Sequence, residues 1–359
     1  MIRNRLWITA AAGVLLAPAG YAGEIGDLTV FSAGTKAVAA EVNGNFDAVK
    51  LAVNDNDARI AALEALVQTL QATVEAQAST IGDLEEKLAH VSLVTHNGQP
   101  TVRFSGVNVQ IVNGEGVTES VNGTGNLIVG YDEADTSGIY RCTVGWDDMA
   151  STPVTDQTTC EAAGASWTNG GFKTGSHYIV AGTQNNYSRF GGVVFGYGNT
   201  SNYDHAIVTA GFQNTASGPS ASVSGGYRNT ASGRYASVSG GGSGAATNTW
   251  ASVSGGYSGV ASGTYASVSG GRQNTASGPA ASVSGGVENE ASNDGASVSG
   301  GWGNTANGSS SSASGGFGNT ASGAFSSVSG GNGCNPGASN YKWAVGQTST
   351  SGCHGTLGN

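Results

Sequence analysis

Between Val42 and Val91, apolar side chains recur in a heptad pattern that leaves a narrow apolar seam on an otherwise polar helix. Asn56 and Gln77 are the polar residues of this seam. A seam this narrow needs a partner helix, although the alternative is a helix folded against its own head domain. The pattern predicts a coiled-coil stalk over residues 42–94, about 75 Å long at the rise of an α-helix. The a positions are Phe46, Val53, Ile60, Val67, Val74, Ile81 and Leu88, and the d positions are Val42, Val49, Asn56, Leu63, Leu70, Gln77, Leu84 and Val91.

Downstream the pattern changes to a core of Ser-Val-Ser-Gly-Gly that recurs with a fixed period. Val193 and Val208 continue the valine series backwards, so that ten turns are expected between Val193 and Gly331. A fixed-period repeat with Gly-containing corners predicts a β-solenoid, since one repeat alone cannot bury its apolar face. We expect this head over residues 177–331. The core residues are Val223, Val238, Val253, Val268, Val283, Val298, Ala313 and Val328.

The strand alternation places Ala221 and Val223 inside the solenoid and Ser222 and Ser224 outside. One valine per repeat makes a thin core, so hydrogen-bonded ladders and an oligomer interface are expected to add stability. The linking Asn-Thr-Ala-Ser-Gly sequence predicts an asparagine ladder at one corner. Its members are Asn199, Asn214, Asn229, Asn274, Asn289, Asn304 and Asn319.

The segments that flank the head have different patterns. Residues 95–131 predict a β-rich neck, with a strand over Val102–Val112, a turn at Asn113-Gly114 and a short strand at Leu127–Val129. Residues 132–176 predict an inserted loop with one cysteine pair, and residues 332–359 a C-terminal cap with another.

The four cysteines, Cys142, Cys160, Cys334 and Cys353, favour disulfides over zinc, because no Cys-x-x-Cys spacing occurs. Three connectivities are open. The local pairs Cys142–Cys160 and Cys334–Cys353 are favoured.

The N-terminus predicts export. Arg3 and Arg5 precede an apolar run that ends in Gly20-Tyr21-Ala22, which is typical of a signal peptide over residues 1–22, followed by an N-terminal segment over 23–41. We therefore expect an extracellular or cell-surface location. With 60 glycines, 11% charged residues and a net charge of −10, the composition excludes a large conventional core and disfavours nucleic acid and anionic lipid as partners.

The stalk and the Ser-Val-Ser-Gly-Gly and Asn-Thr-Ala-Ser-Gly repeats resemble the YadA-like heads of trimeric autotransporter adhesins. The resemblance covers roughly residues 177–331 and implies a mainly β fold, a left-handed parallel β-roll, in a homotrimer. The seam alone leaves dimer and trimer open, because β-branched residues at a with leucine at d favour dimers. In this chain the repeat is one residue longer, and serine replaces the large isoleucine of the family's core. The stalk also precedes the head, and the end at 353–359 does not resemble a barrel strand, so we expect no integral membrane anchor.

Residues typical of catalysis or metal binding are sparse. The five histidines, His90, His96, His177, His205 and His354, are scattered, and the repeats carry too few charges for a hydrolase or lyase face. Asp132-Glu133-x-Asp135 is a weak candidate for calcium, with a solvated loop as the alternative, and Asp147-Asp148 is weaker still. We therefore expect no enzyme, no cofactor and no catalytic or metal residues.

The remaining candidate site is aromatic. Tyr235, Trp250 and Tyr265 occupy one corner in three successive repeats, with Phe325 further along. Their faces suit the apolar C–H patches of sugars, whereas the alternative is that the rings only brace the corner. The opposite corner carries Tyr197, Phe212, Tyr227, Tyr257, Trp302 and Phe317.

Three function classes follow from these features. The first is a structural or adhesive fibre that binds itself and host or matrix glycans or proteins. The second is a carbohydrate-binding or phage-tail-fibre-like receptor-binding module. Ice binding is disfavoured, because Ala245, Val260 and Glu290 interrupt the threonine column.

Overall fold

The computed structural model describes residues 25, 27–135, 141–143, 146–147, 152–153, 156–163, 165–168, 171–346 and 353–357. The predicted signal peptide lies outside these residues. The chain divides into two compact units, Met1–Val109 and Gln110–Asn359.

The first unit is built on one long helix, α1 (Ala39–Leu88). It contains no buried residue, and its seam side chains are exposed: Leu63, for example, is 60% exposed. Ile60, Leu63 and Val67 line an open apolar groove along the helix. Among the described residues, no helix combines the length and hydropathy needed to span a bilayer. The periodic seam is therefore present on a helix whose apolar side is left largely uncovered by the described residues.

A β-hairpin follows the helix, formed by β1 (Val91–His96) and β2 (Gln99–Phe104). Asn97 and Gly98, with φ of 49° and 78°, form the turn between them, as expected for an Asn-Gly hairpin. The predicted strand over Val102–Val112 is wrong beyond Phe104, because the described segment from Ser105 to Asn126 contains no strand. The pair that closes a hairpin is thus Asn97-Gly98, and not Asn113-Gly114, where the turn was expected.

The second unit is a solenoid with an insertion near its start. Its first strand is β3 (Leu127–Val129). The insertion contributes the elements β4 (Arg141–Cys142), β5 (Trp146–Asp147), β6 (Thr152–Pro153), α2 (Gln157–Ala162) and β7 (Trp167–Thr168). The coils contain the strands β8 (Ile179–Thr183), β9 (Asn186–Tyr187), β10 (Val193–Tyr197), β11 (Thr200–Ser201), β12 (Ile207–Val208), β13 (Thr215–Ala216), β14 (Ser222–Val223), β15 (Thr230–Ala231), β16 (Ser237–Val238), β17 (Ala245–Ala246), β18 (Ser252–Val253), β19 (Val260–Ala261), β20 (Ser267–Val268), β21 (Thr275–Ala276), β22 (Ser282–Val283), β23 (Glu290–Ala291), β24 (Ser297–Val298), β25 (Thr305–Ala306), β26 (Ser312–Ala313), β27 (Thr320–Ala321) and β28 (Ser327–Val328). The last elements are β29 (Trp343–Gly346) and β30 (Cys353–Leu357).

Each coil places one strand in each of two sheets. The first sheet has 14 strands, in the order β3-β8-β10 and then the even-numbered strands to β28, closed by β29 and β30. The second has ten strands, from β9 to β27. Neighbouring coils pair in parallel and in register, as Val253 with Val268. The result is a mainly β protein with a parallel solenoid of about 11 turns, close to the ten that the valine period predicts.

The difference of one turn arises in the first coils, which are one residue shorter. Val194, and not Val193, pairs with Val208, and Val194 is fully buried. Asn199 likewise follows its predecessor Asn185 by 14 residues, whereas later asparagines are 15 apart. The assignment of Val193 to the core column is therefore wrong by one residue. A strict spacing of 15 residues, counted backwards from Val208, does not reveal the coil that contains β8.

From β12 to β28, each strand contributes one buried valine or alanine to the interior. Ala221, Val223 and Ala216 are fully buried, while Ser222 is partly exposed and Ser224 is exposed, which confirms the predicted faces. At the N-terminal end, Tyr178 and Tyr187 fill the interior with rings 5.2 Å apart. Burial raises the pKa of Tyr178, whose hydroxyl donates to the Ser188 carbonyl at 2.8 Å. These tyrosines cover the end of a core that is otherwise built from small residues.

The second glycine of each Ser-Val-Ser-Gly-Gly core forms a corner that admits no side chain. Gly256 has a φ of 85°, and a Cβ there would lie 2.3 Å from the Gly271 carbonyl oxygen of the next coil. Both the left-handed backbone and the close approach of the coils require glycine.

The asparagine column forms the predicted ladder, with backbone groups as partners. Asn289 Nδ2 donates to the carbonyls of Gly285 and Gly301, and Asn289 Oδ1 accepts the backbone N–H of Asn304 in the next coil. Each buried amide thus satisfies groups in two successive coils. The pattern repeats along the column. It also includes Asn185, which the expected 15-residue spacing did not identify because Asn185 lies 14 residues before Asn199.

The ladder is interrupted where Gly244 and Gly259 replace asparagine, and this gap leads to a stability prediction. We expect Gly259→Asn to stabilise the head by about 1–2 kcal/mol, through new amide hydrogen bonds and a stiffer unfolded chain. The new Cβ would lie 3.1 Å from Val268 Cγ1, so a small shift of that methyl is required. The measurement is the melting temperature, with Gly259→Ala as the control that adds a Cβ without an amide. An equal or larger gain for the alanine variant would contradict a role for the ladder.

Two disulfides link the local cysteine pairs, Cys142–Cys160 in the insertion and Cys334–Cys353 in the cap. Cys334 occupies the asparagine position of the last coil, where its backbone N–H donates to Asn319 Oδ1 at 2.9 Å. The cap disulfide therefore begins where the ladder ends.

Candidate ligand-binding surface

Tyr235, Trp250 and Tyr265 occupy the same corner of three successive coils, each with a left-handed backbone. Their φ angles are 58°, 60° and 61°. Bulky residues rarely adopt this conformation, which costs of the order of 1–3 kcal/mol. Other coils place small residues at this corner, as Ser220 and Ala280 do on either side of the three. The aromatic residues are therefore not required by the backbone, and their side chains must supply the advantage.

The three rings form an exposed surface patch, which we call the aromatic patch. Tyr235 and Trp250 stack, with ring centroids 4.3 Å apart and planes inclined by 22°. Trp250 is 50% exposed and Tyr265, one coil further, is 63% exposed. Stacking of such a pair contributes about 0.5–1.5 kcal/mol, so it offsets only part of the backbone strain of two aromatic residues. The exposed ring faces leave room for a second role, contact with a ligand.

The opposite corner carries a second aromatic column with a different character. Tyr197, Phe212 and Tyr227 stack in sequence, with centroids 4.8 and 5.6 Å apart, and Arg228 lies over the Tyr227 ring. Tyr197, Phe212 and Tyr227 form β-bridges between coils and do not have the left-handed backbone of the aromatic patch. Their stacking follows from the strand register, so this column is explained by bracing alone. Trp302 and Phe317 meet edge to face at 5.4 Å further along.

Phe325 continues the left-handed corner near the C-terminal end. It stacks on Tyr341 with a centroid distance of 5.2 Å and an angle of 6°. Ala280, Gly295 and Ser310 separate this pair from the aromatic patch. The patch is therefore local to three coils.

The acidic segment considered for calcium makes buried contacts with the insertion and the first coils. Asp135 is buried and pairs with Arg141 at 2.6 Å, and it accepts a hydrogen bond from Asn186 at 2.9 Å. Asp132 pairs with Lys173 at 2.6 Å. These contacts attach the insertion to the first coils, so the segment is not a solvated loop. Within the described ranges, no cluster of three or more His, Cys, Asp or Glu side chains has a metal-binding arrangement.

The scattered histidines make no common site in the described residues. His90 Nδ1 contacts the Ser105 carbonyl, His177 Nδ1 contacts that of Thr118, and His205 packs edge-on against Phe190. Asp148 and the side chain of His354 lie outside the described residues.

Comparison with known proteins found no match for this chain. No family model matches the chain, and no curated protein shows a significant match to it. The surface must therefore be interpreted from its own geometry.

Proposed function

We propose that this chain is an exported, fibrous adhesive protein that assembles as a homotrimer, with a coiled-coil stalk followed in sequence by a β-solenoid head. The observation that carries the proposal is the exposed seam of α1, in which Leu63, Val67 and Leu70 repeat at heptad positions and remain exposed among the described residues. Apolar residues at such spacing pack into the seams of identical helices. Self-association is the simplest way to cover this surface.

The outer face of the first sheet supports association of the head as well. Leu127 and Ile179 face outwards and are exposed, and Val193 and Ile207 continue the same column. From the next coil onwards this column is serine, beginning with Ser222. An apolar surface confined to the first coils is typical of a contact area and needs cover from water.

The adhesive role rests on the aromatic patch. Three exposed rings in successive coils present flat apolar faces. Ser220 and Ala280 adopt the same left-handed backbone at this corner, so the fold does not require aromatic side chains there. The ligand class that we propose is a glycan or a glycosylated matrix protein. A dedicated receptor-binding module is the second candidate, and the same patch would serve it.

The test is the triple substitution Tyr235→Ser, Trp250→Ala and Tyr265→Ser. Small residues occupy this corner in other coils, so the head should fold and its melting temperature should change by only a few degrees. We expect adhesion to cells and to immobilised glycans to fall at least tenfold, because the ring faces are lost. The matched control is Phe212→Ser with Tyr227→Ser on the bracing column, which should reduce stability and leave adhesion per folded molecule unchanged. Adhesion at the level of the unsubstituted protein in a folded triple variant would mean that the patch is structural only.

A further inference from the structure

A cleft lies between the insertion and the outer face of the second sheet, on a side of the head that the aromatic patch does not use. Its volume is about 290 Å³. The floor is a double row of hydroxyl and amide side chains from successive coils, and the wall comes from the insertion. Its lining residues are Arg141, Cys142, Trp167, Thr200, Asn202, Thr215, Ser217, Thr230, Ser232 and Thr247.

Two buried polar atoms that line this cleft have no hydrogen-bond partner among the residues that the structure describes. They are Thr200 Oγ1 and Asn202 Oδ1. Thr200 is 0% exposed and Asn202 is 4% exposed. Buried polar atoms are nearly always paired, so each such atom in a native structure requires an explanation. The side chains line the cleft, and a polar ligand held there supplies the missing partners.

The wall is held in place by contacts that do not involve these two atoms. Asn202 Nδ2 donates to the Cys142 carbonyl at 2.9 Å, and the Cys142–Cys160 disulfide fixes that strand within the insertion. Arg141, whose guanidinium pairs with Asp135, extends the wall. Trp167, paired with Cys142 in the β4–β7 ladder, adds an aromatic surface. These contacts therefore hold the wall of the cleft in place against the first coils.

The chemistry of the lining selects a neutral ligand that is rich in hydroxyl groups. Asn202 Oδ1 only accepts hydrogen bonds, whereas the serine and threonine hydroxyls both donate and accept. Sugar hydroxyls also do both, and the indole of Trp167 offers an apolar face for ring C–H groups. Asp135 already neutralises the one charged residue of the lining, which disfavours an acidic sugar. The volume lies at the small end of ligand pockets and suits one sugar unit.

We propose that this cleft binds a single neutral sugar unit of a glycan, with Thr200 and Asn202 at its inner end and Trp167 at its side. The inference goes beyond the fibre proposed above, since it requires one chain and not a trimer. It also differs from the aromatic patch, which would contact the glycan surface without enclosing it.

The experiment uses the full mature chain on an array of neutral, uronic-acid and sialylated oligosaccharides. The principal variant is Thr215→Val with Thr230→Val, which keeps the shape of the floor and removes two hydroxyls. Thr275→Val with Thr305→Val is the matched control, because these residues occupy the same column in coils outside the cleft. We expect the neutral sugar that binds best to lose about tenfold in affinity in the first variant and to keep its affinity in the control.

Thr200→Val gives a second and independent readout. It removes an unpaired buried hydroxyl, so the melting temperature without sugar should stay equal or rise, while the increase that saturating sugar produces in the unsubstituted protein should disappear. The proposal is overturned if no neutral sugar binds, if the control pair loses as much as the cleft pair, or if only the aromatic-patch variant abolishes binding. Because oligomeric state is measured separately, failure here leaves the proposal of a trimeric fibre in place.

Discussion

Replacing Leu63 by aspartate is expected to convert the proposed trimer into monomers. Leu63 is a d position in the middle of α1, and its side chain is exposed when the chain is taken alone. In a coiled coil it would lie in the seam, where three aspartates would face one another without cationic partners. A buried and unpaired carboxylate costs several kcal/mol or takes up a proton, and three of them in one layer exceed what a few neighbouring layers supply.

The matched control for this substitution is Ala65→Asp, two residues further along the same helix. Ala65 falls on the outer face of the predicted coiled coil, and its replacement by aspartate costs at least as much helix propensity as the change at Leu63. We expect the control to sediment as the unsubstituted protein does, and Leu63→Asp to sediment as a single chain. An unchanged mass for Leu63→Asp would show that the seam does not hold the assembly together.

The second large effect is expected for Val268→Asp in the head. Val268 is 1% exposed and stacks between Val253 and Val283 in the interior column. Apart from Tyr203 in its first coil, the core cluster consists of valine and alanine, so the hydrophobic side chains around Val268 offer an introduced carboxylate no polar partner. We expect a loss of several kcal/mol and a melting temperature lower by about 10 °C or more.

The damage should spread to the adjacent coils, because each coil of a solenoid is stabilised by its neighbours. Hydrogen exchange should accelerate first in the coils that contain Val253 and Val283. Ser269→Asp is the control, since Ser269 lies next to Val268 and faces outwards. Equal melting temperatures for Val268→Asp and the unsubstituted protein would mean that Val268 faces solvent and that the two faces of the strand are assigned the wrong way round.

The repeat made the head predictable from its sequence, for a clear physical reason. One valine per period, flanked by serines, fixes which face points inwards, and the same period fixes the register between coils. The asparagine ladder follows from the same regularity. The error at Val193 arose because the first coils are one residue shorter. Val193 lies 15 residues before Val208, as the later period requires, but Val194 is the residue that pairs with Val208.

Features that depend on contacts between distant segments were not predictable in this way. Nothing local to Asp135 indicates that Arg141 and Asn186 neutralise and bury it. The left-handed backbone of Trp250 follows from the geometry of the corner. In the sequence, this geometry is indicated only by the small residues at equivalent positions, such as Ser220 and Gly295. The cleft beside Asn202 likewise exists only because the insertion folds back over the coils.

The central claim is that identical chains assemble through the exposed seam of α1. Equilibrium sedimentation of the mature protein tests it most directly, at several concentrations and with the disulfides intact. We expect a single species with the mass of three chains. A single species with the mass of one chain would contradict it.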